Sequence, residues 1–243
     1  KILKFLNDDY FPKVIKDGKF NEYQYLVMNE FLPSINDVRK AHNDAFDSVA
    51  AFHVSLEMLK IIGILHQKGL LHLDIKPSNF VFKGKPDELK LCLIDYGLAK
   101  RWRSPEGEIY PPREKVGFRG TSRYASINSH EGNDLGRRDD LWSLFYVLIE
   151  LCAPPLPWKI QTDKESIYQV KMLSIQRGTL YSGLPLQFKD FSNHIKSLGF
   201  ADEPDYDYLV DLMNSMLKEV EETSDFGVSM NFASVAIMAD AGC

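Results

Sequence analysis

The run HLDIKPSNF, in the first third of the chain, contains polar residues whose types and spacing could support phosphoryl transfer. Asp74 can accept the proton of an incoming hydroxyl group, and Lys76 can neutralise the transferred phosphate. Asn79 and the later Asp95 can offer oxygen atoms to Mg²⁺, which prefers a few protein oxygens together with phosphates. The pattern therefore predicts a catalytic loop over residues 72–79 that works by positioning and charge neutralisation.

A literal Asp-Phe-Gly sequence at residues 225–227 is a competing candidate for the metal-binding aspartate. It follows the last predicted helix, and nothing around it resembles the end of a strand that faces the catalytic loop. Asp95 instead precedes Tyr96 and Gly97 and lies in a strand–turn–strand pattern with that loop. We therefore predict that Asp95 is the metal ligand and that residues 225–227 form a turn in the C-terminal tail.

The residues before the catalytic loop are expected to form the last turns of one helix at KILKFLN, then two strands and two further helices. Alternating apolar and polar residues on both sides of Asp17-Gly18 predict a hairpin with its tight turn at that dipeptide. Ser34 is the expected N-cap of a short helix, and apolar residues at helical spacing predict a long helix over residues 47–68. Gly69 is expected to end that helix.

The remainder of the chain is predicted to be mostly helical. Short strands are expected at residues 70–72, 80–82 and 89–94, before a long, irregular polar segment at residues 101–133. Helical patterns then recur over residues 139–151, 163–176, 185–198 and 204–220. A few strands followed by many helices predict an α+β fold with a large helical lobe.

The composition narrows the class of protein. The chain has 243 residues, of which 44% are apolar and 26% charged, as in soluble globular proteins. A net charge of -5 argues against a general nucleic-acid binder, and three widely spaced cysteines favour a reducing compartment. The apolar run LFYVLIEL is too short to span a membrane, and no secretory signal is present. We therefore expect an intracellular monomer, cytoplasmic or nuclear, without nucleic-acid or membrane partners.

Several motifs together resemble those of eukaryotic protein kinases, and specifically of the casein kinase 1 group. The most specific is GFRGTSRYASINSHEGNDLGRRDDLWSLFYVLIEL, in which Ser126, Ile127 and Asn128 replace the Ala-Pro-Glu that ends most activation segments. The segments HLDIKPSNF, PPREKVGFRG, LWSLFYVL and LPWKIQTDKE are most similar to the tau-tubulin kinase branch. The resemblance implies a protein kinase-like fold, with an N-lobe remnant (1–32), a C-lobe (33–220) and a tail (221–243). It also implies a protein Ser/Thr kinase that uses ATP and Mg²⁺.

The resemblance further implies roles for residues outside the catalytic loop. The resemblance places Met28 behind the adenine ring of the nucleotide, and Val81 and Ile94 beneath that ring. It also implies a hinge whose backbone hydrogen-bonds the adenine, formed by Asn29, Glu30, Phe31 and Leu32. Thr121 is expected to bridge Asp74 and Lys76, which favours Ser/Thr over Tyr as the acceptor.

Three further residues are expected to support the site: His72, Tyr96 and Asp140. His72 is expected to buttress the catalytic loop, and Tyr96 keeps the aromatic ring that the family has after the metal-binding aspartate. Asp140 is expected to hold the backbone of the catalytic loop. The alternative for Asp140 is an acidic residue that is favoured at a helix N-terminus by the helix dipole alone.

Basic residues are concentrated in residues 111–138, although the whole chain has a net charge of -5. Arginine binds phosphate and carboxylate groups well. We therefore predict an anion patch, centred on Arg119 and Arg123, that favours protein substrates with acidic or already phosphorylated sites. The alternative is an ordinary solvated surface.

Leu73 stands where many kinases have an arginine that pairs with a phosphate on the activation segment. Leucine can pack but cannot make that pair, and the catalytic side chains are unchanged by it. We therefore predict that activity does not require phosphorylation of the activation segment.

Neither a glycine-rich phosphate loop nor a strand lysine paired with a helix glutamate appears before Asp95. Two explanations compete: the chain is part of a longer kinase, or the natural protein lacks these elements and acts as a kinase-like scaffold. Retention of all four catalytic and metal-binding residues favours the first, although residues 1–243 alone could be inactive. A small-molecule kinase is a third hypothesis, against which Lys76, Thr121 and the RYASIN segment argue.

Overall fold

In the computed structural model, the described residues are 2–41, 46, 48–85, 88–152 and 155–223. The helices are α1 (Ile2–Phe5), α2 (Ile35–Ala41), α3 (Ser48–Gln67), α4 (Ile127–His130), α5 (Arg137–Cys152), α6 (Lys164–Gln176), α7 (Leu186–Ser197) and α8 (Tyr206–Thr223). The strands are β1 (Val14–Phe20), β2 (Tyr23–Met28), β3 (Leu70–Leu71), β4 (Phe80–Lys83), β5 (Lys90–Leu93) and β6 (Lys100–Arg101). The predicted helices are confirmed to within a few residues at their ends. The literal Asp-Phe-Gly at 225–227 and the tail beyond 223 lie outside the described residues.

Local sequence signals explain where several helices begin and end. The Ser34 hydroxyl accepts a hydrogen bond from the backbone N–H of Asp37 at 3.2 Å, and Asp37 Oδ2 accepts one from the Ser34 backbone N–H at 3.0 Å. This reciprocal capping confirms Ser34 as the N-cap of α2. Gly69, with a φ of 78°, follows α3 in the left-handed conformation that ends many helices.

The predicted hairpin turn at Asp17-Gly18 is wrong. Both residues lie inside β1, where Gly18 pairs with Tyr25, and the turn falls at residues 21–22. Asn21 has a φ of 54°, a left-handed conformation that asparagine tolerates better than most residues. A Cβ atom on Gly18 would lie 2.5 Å from the Tyr25 hydroxyl, so this glycine makes room for a cross-strand ring rather than for a turn.

The hydrophobic core is centred on α3 and α5. All residues of α5 from 139 to 151 are buried, and α3 packs against both α5 and α8. By length and composition alone α3 could also cross a membrane, but most of it is buried inside the fold. That combination is weak evidence for a membrane span, because core helices have the same properties.

Two antiparallel strand pairs bring the catalytic loop and Asp95 together. The catalytic loop connects β3 to β4, and Asp95 lies in the connection between β5 and β6. Because β3 pairs with β6 and β4 pairs with β5, the two connections meet at the same end of the strands. The backbone N–H of Ile94 donates to the Asn79 carbonyl at 2.9 Å, which fixes this contact.

The activation segment, residues 95–128, runs mostly without regular structure, as predicted for the polar stretch. Its end is held by side chains of the Ser-Ile-Asn motif. The Ser126 hydroxyl accepts from the Ser129 backbone N–H at 3.2 Å and caps α4. Asn128 Nδ2 donates to Asp139 Oδ1 of α5 at 2.8 Å, so the motif anchors the segment to the core helix.

Candidate active site

Asp74, Lys76 and Thr121 form one hydrogen-bonded group, although Thr121 is far from the other two in sequence. The Thr121 hydroxyl donates to Asp74 Oδ1 at 2.7 Å, and Lys76 Nζ donates to Asp74 Oδ2 at 2.6 Å. Lys76 Nζ also lies 3.2 Å from Thr121 Oγ1. The structure therefore places Thr121 between the two residues, in the bridging position that the family resemblance implies.

Asp140 holds the backbone of the catalytic loop from below. Its two carboxylate oxygens accept hydrogen bonds from the backbone N–H groups of His72 and Leu73, both at 2.8 Å. His66 Nε2 lies 2.9 Å from Asp140 Oδ2, and the Asp140 side chain is 1% exposed. Burial acts to raise the pKa of Asp140, but the hydrogen bond and charge of His66 and the partners from the loop hold it below its ordinary value.

His72 links the catalytic loop to the strand that precedes Asp95. Its Nδ1 accepts a hydrogen bond from the Asp74 backbone N–H at 3.3 Å, so Nε2 carries the proton and donates to the Ile94 carbonyl at 2.9 Å. Burial lowers the pKa of His72, against the opposing charge of Asp140. The Tyr96 ring packs edge-on against this imidazole, with 5.2 Å between ring centres. These contacts give both residues a supporting position.

Asn79 and Asp95 provide the oxygen atoms available for a divalent cation. Asn79 Nδ2 donates to the Asp74 carbonyl at 2.8 Å, which leaves Asn79 Oδ1 as the acceptor atom of the amide. Asp95 is exposed and has a φ of 64°. Among the described residues, no group of three or more His, Cys, Asp or Glu side chains could enclose a metal ion. One amide oxygen and one carboxylate fit Mg²⁺ that takes its remaining ligands from phosphates and water.

Gly120 fits tightly against the backbone of the catalytic loop, a contact that the sequence analysis missed. It has a φ of 92°, and a Cβ atom on it would lie 2.7 Å from the Leu73 carbonyl oxygen and 3.8 Å from Asp74 Oδ1. Only glycine permits this approach without strain. The contact sets the position of Thr121, the next residue, relative to Asp74.

A cavity of about 540 Å³ lies between α1, the β1–β2 hairpin and Asp95. Met28 and Asp95 line it, together with Tyr96 and an ion pair in which Lys4 Nζ lies 2.6 Å from Asp17 Oδ1. Val81 and Ile94 are not part of its lining. The structure therefore brings Met28 and the predicted metal ligand to one cavity. Of the two predicted floor residues, Val81 lies in β4 and Ile94 directly follows β5.

The hinge is already partly hydrogen-bonded within the chain. The backbone N–H of Leu32 donates to the Phe82 carbonyl at 2.8 Å, and the Glu30 carbonyl accepts from Asn29 Nδ2 at 3.3 Å. The Leu32 N–H is therefore not free for an adenine ring, and the Glu30 carbonyl already accepts one hydrogen bond. The Asn29 carbonyl and the Phe31 N–H are therefore the better candidates.

The predicted anion patch divides into two different environments. Arg123 Nε lies 3.4 Å from Glu150 Oε1, and that glutamate side chain is only 2% exposed. Arg123 is therefore engaged by a buried carboxylate, although it also lines a groove of about 490 Å³ with Lys76 and Thr121. The Arg119 backbone is fixed by the Ser129 hydroxyl at 3.1 Å, and its side chain is partly exposed.

Lys171 is a buried residue that the sequence analysis did not single out. Its ammonium group donates to the carbonyls of Ser122 and Ala125 at 2.7 and 2.6 Å, directly after Thr121. It also lies over the rings of Tyr146 and Trp158, at 4.8 and 5.1 Å from their centres. Burial lowers the pKa of Lys171 well below its ordinary value. A lysine in an amphipathic helix gives no signal in the sequence for such a contact.

Residues 2–223 match the family model described as a protein kinase domain. Together with the fold and the catalytic group, this match shows that the chain belongs to the protein kinase family. Its relatives point to the casein kinase 1 group within that family.

One relative is a probable serine/threonine-protein kinase of Dictyostelium discoideum, 42% identical over 207 residues, which are 84% of this chain and 42% of that protein. A casein kinase 1-like protein of Oryza sativa subsp. japonica is 38% identical over 214 residues, 85% of this chain and 30% of that protein. A casein kinase I homologue of Schizosaccharomyces pombe is 33% identical over 222 residues, 88% of this chain and 51% of that protein. The chain thus spans about half or less of the length of these relatives. The tau-tubulin branch stays a prediction.

Proposed function

We propose that the protein to which this chain belongs transfers the γ-phosphate of ATP to serine or threonine hydroxyls of protein substrates. The observation that carries the proposal is the group formed by Asp74, Lys76 and Thr121, with distances of 2.6–3.2 Å between its polar atoms. Because Thr121 contacts both the proposed base and the phosphate-binding lysine, it fixes these two side chains relative to each other, which favours a catalytic group over a purely structural one. The chain's membership of the kinase family supports the same reaction.

In the proposed reaction, Asp74 orients the acceptor hydroxyl and takes its proton. Oδ1 accepts a hydrogen bond from Thr121, and Oδ2 accepts one from Lys76 and a longer one from Asn79, so the carboxylate cannot rotate when the acceptor arrives. Lys76 lies beside it and neutralises charge on the transferred phosphate. Asp140 fixes the loop backbone at residues 72 and 73, so the chain directly before Asp74 is held rigidly in place.

The metal is proposed to be Mg²⁺, held by Asn79 and Asp95 with the phosphates of ATP. When bound, the ion neutralises charge on the phosphates. The adenine is proposed to lie beside Met28, with the Asn29 carbonyl and the Phe31 N–H as hinge contacts and Val81 and Ile94 beneath it. The metal and the nucleotide are supported by the donor chemistry of these residues and by the family.

On the acceptor side, we propose a preference for acidic or already phosphorylated sites. The groove that contains Lys76 and Thr121 is also lined by Arg123. Arg119 is the better candidate for anion binding, because Arg123 already pairs with Glu150. Comparison of matched acidic and basic peptide substrates tests the preference. Equal rates on both would contradict it.

The further properties that we propose rest on composition and resemblance. They are a monomeric state, an intracellular location in the cytoplasm or nucleus, no nucleic-acid or membrane partner, and the N-lobe, C-lobe and tail boundaries after residues 32 and 220. Similarity to the tau-tubulin branch does not identify the substrate.

Phosphate transfer from labelled ATP to protein substrates, measured with the complete protein, tests the proposed function. The Asp74→Asn variant is expected to lose about 10²–10⁴-fold in kcat, which is the usual contribution of a general base. Asp211→Asn, an exposed change in α8, is the matched control and should leave kcat unchanged.

The rival scaffold function predicts a different result. A complete protein that shows no transfer, and no thermal stabilisation by ATP with Mg²⁺, would support a kinase-like scaffold instead.

A further inference from the structure

The carboxylate of Asp134 accepts hydrogen bonds from two residues that are distant in the chain, Lys100 and Arg113, and from the backbone of the residue that follows it. Arg113 donates from its backbone N–H, Nε and Nη2, at 3.1, 3.1 and 3.0 Å. Lys100 Nζ donates at 2.5 Å and the Leu135 backbone N–H at 3.1 Å. The Asp134 side chain is only 4% exposed, so these donors replace its solvent. We call this group the Asp134 clamp.

The clamp joins the activation segment to the core at two points. Lys100 is in β6, near the start of the segment, and Arg113 is in its middle. Asp134 lies just before α5, the buried helix that also carries Asp140. One carboxylate thus connects two positions of the activation segment to the element that holds the catalytic loop.

Little else fixes the middle of the segment. Residues 105–115 are all exposed, so burial of apolar surface contributes little there. Backbone hydrogen bonds from Tyr110 to Trp102, at 3.0 Å, and from Val116 to Gly132, at 3.1 Å, tie this stretch to its surroundings, and a local turn joins the Ser104 N–H to the Glu108 carbonyl at 2.8 Å. The bidentate contact of Arg113 is of the strong, charge-assisted kind.

The clamp adjoins Leu73, the residue that stands in the place of an arginine. Lys100 pairs with Leu71 across β3 and β6, and Leu135 follows Asp134 directly. Leu71, Leu73, Leu135 and the Trp102 ring form a small, separate apolar cluster. Where other kinases direct several cations at a phosphate, this chain directs Lys100 and Arg113 at its own aspartate.

We propose that Asp134 is the positioning residue of the activation segment. Its carboxylate pairs with Lys100 and Arg113 and keeps the segment ordered permanently, as a phosphate on that segment does in other kinases. The proposal rests on the proposed kinase function and names its regulation. The segment leads from the clamp to Gly120 and Thr121, so the clamp acts on Asp74 through these two residues. Burial acts to raise the pKa of Asp134, but hydrogen bonds from Arg113 and Lys100 outweigh it and hold the pKa well below the ordinary value.

Amide hydrogen exchange of the complete protein, without nucleotide, tests the positioning role directly. In Asp134→Asn, peptides covering residues 100–119 should exchange about tenfold faster or more, because charge-assisted hydrogen bonds are lost. Asp134→Glu, which keeps the charge, should restore much of the protection. Glu203→Gln removes an exposed carboxylate beside Arg137 and is the matched control, with no expected change. Unchanged exchange in Asp134→Asn would overturn the proposal.

Amide exchange that is faster throughout the protein in Asp134→Asn would mean that this variant has lost its fold. Two further variants then test whether the Asp134 clamp orders the activation segment. Lys100→Met and Arg113→Gln each remove one cation, and the Arg113 side chain is 53% exposed. Faster exchange confined to residues 100–119 in both variants supports the clamp. Protection equal to that of the unmodified protein in both overturns it.

A phosphotransfer assay separates this inference from the proposed function. After phosphatase treatment the unmodified protein should keep its activity, and Asp134→Asn should lose kcat with little change in KM for ATP. Loss of activity on phosphatase treatment would contradict the proposal. If the unmodified protein transfers no phosphate at all, the proposed function fails, while the hydrogen-exchange result still decides whether Asp134 orders the segment.

Discussion

His66 Nε2 lies 2.9 Å from Asp140 Oδ2, and both side chains are 1% exposed. His66 belongs to α3 and Asp140 to α5, so the contact joins the two central helices directly beneath the catalytic loop. The other imidazole nitrogen, Nδ1, lies 2.5 Å from the hydroxyl of Tyr206 at the start of α8. Three helices therefore contribute to one buried network that ends at the backbone of His72 and Leu73.

Asp140→Asn is expected to lower the free energy of unfolding by about 3 kcal/mol. An amide can accept with only one of its two terminal atoms, so one donor among His66, His72 and Leu73 would face an NH₂ group. Urea unfolding checks this. Asp211→Asn is the control on an exposed face of α8 and should change stability by less than about 0.5 kcal/mol. Equal stabilities for the two variants would show that the network contributes nothing.

Gly120→Ala is expected to cost more stability than Gly107→Ala, although the two glycines have similar φ angles of 92° and 97°. Both substitutions strain the backbone by about 1–2 kcal/mol. A Cβ atom on Gly120 would also meet the Leu73 carbonyl, whereas one on Gly107 has nothing within 4 Å. The clash should add about 1–3 kcal/mol, measured by urea unfolding. If the two variants are equally stable, Gly120 does not pack as described.

Asp95→Asn is expected to lower kcat/KM of the complete protein by about a hundredfold or more, because it removes the charged metal ligand. Asp225→Asn, in the literal Asp-Phe-Gly, should have no effect. Phosphate transfer is measured at increasing Mg²⁺ concentration. The Mg²⁺ concentration that gives half-maximal activity should rise only for Asp95→Asn. A loss confined to Asp225→Asn would mean that the wrong tripeptide has been assigned.

Leu73→Arg is expected to destabilise the fold by about 3 kcal/mol, because a guanidinium would enter the apolar cluster with Leu71, Trp102 and Leu135. Leu73→Met keeps the volume and should cost less than about 1.5 kcal/mol. Thermal unfolding of both variants gives the comparison. An arginine variant as stable as the methionine variant would show that residue 73 can reach solvent.

The stability of the fold should fall as the pH drops from about 6.5 toward 4, in part because of His130. Burial, with a smaller contribution from the charge of Lys171, lowers the pKa of His130 to about 4. In the unfolded chain a histidine has a pKa near 6.5. Between these values the unfolded chain binds a proton that the folded protein does not, so folding is disfavoured at the lower pH.

His130→Gln tests this pH dependence. The variant should lose less stability between pH 7 and pH 5 than the unmodified protein, measured by urea unfolding at each pH. Since burial also lowers the pKa of His72, part of the slope should remain in the variant. An identical slope for His130→Gln would contradict the assignment.

The catalytic loop could be predicted from the sequence because its chemistry is carried by residues at fixed, short spacing. The strand–loop–strand context of Asp74 and Asp95 is equally local, and the predicted α+β kinase-like fold is confirmed. The bridging position of Thr121 required the family resemblance, since no spacing rule connects residues 74 and 121.

The contacts that the sequence did not reveal join distant residues through the fold. Nothing in the sequence pairs Asp134 with Lys100 and Arg113, or Lys171 with the carbonyls of residues 122 and 125. The error at Asp17-Gly18 has the same origin, because a cross-strand ring, and not a turn, requires the glycine. Arg123 was predicted to be free for anions because no local pattern connects it with its partner Glu150, which lies 27 residues later in the chain.

The buried amine of Lys171 gives the protein a built-in chemical reporter. Because it is fully covered by the backbone at residues 122–125 and by two aromatic rings, amine-modifying reagents can reach it only when that part of the chain detaches. Most other lysines in the described part of the chain are exposed and react without any opening. The rate at which Lys171 is labelled, read by mass spectrometry, therefore reports how often the backbone at residues 122–125, beside the groove lined by Lys76 and Thr121, opens locally.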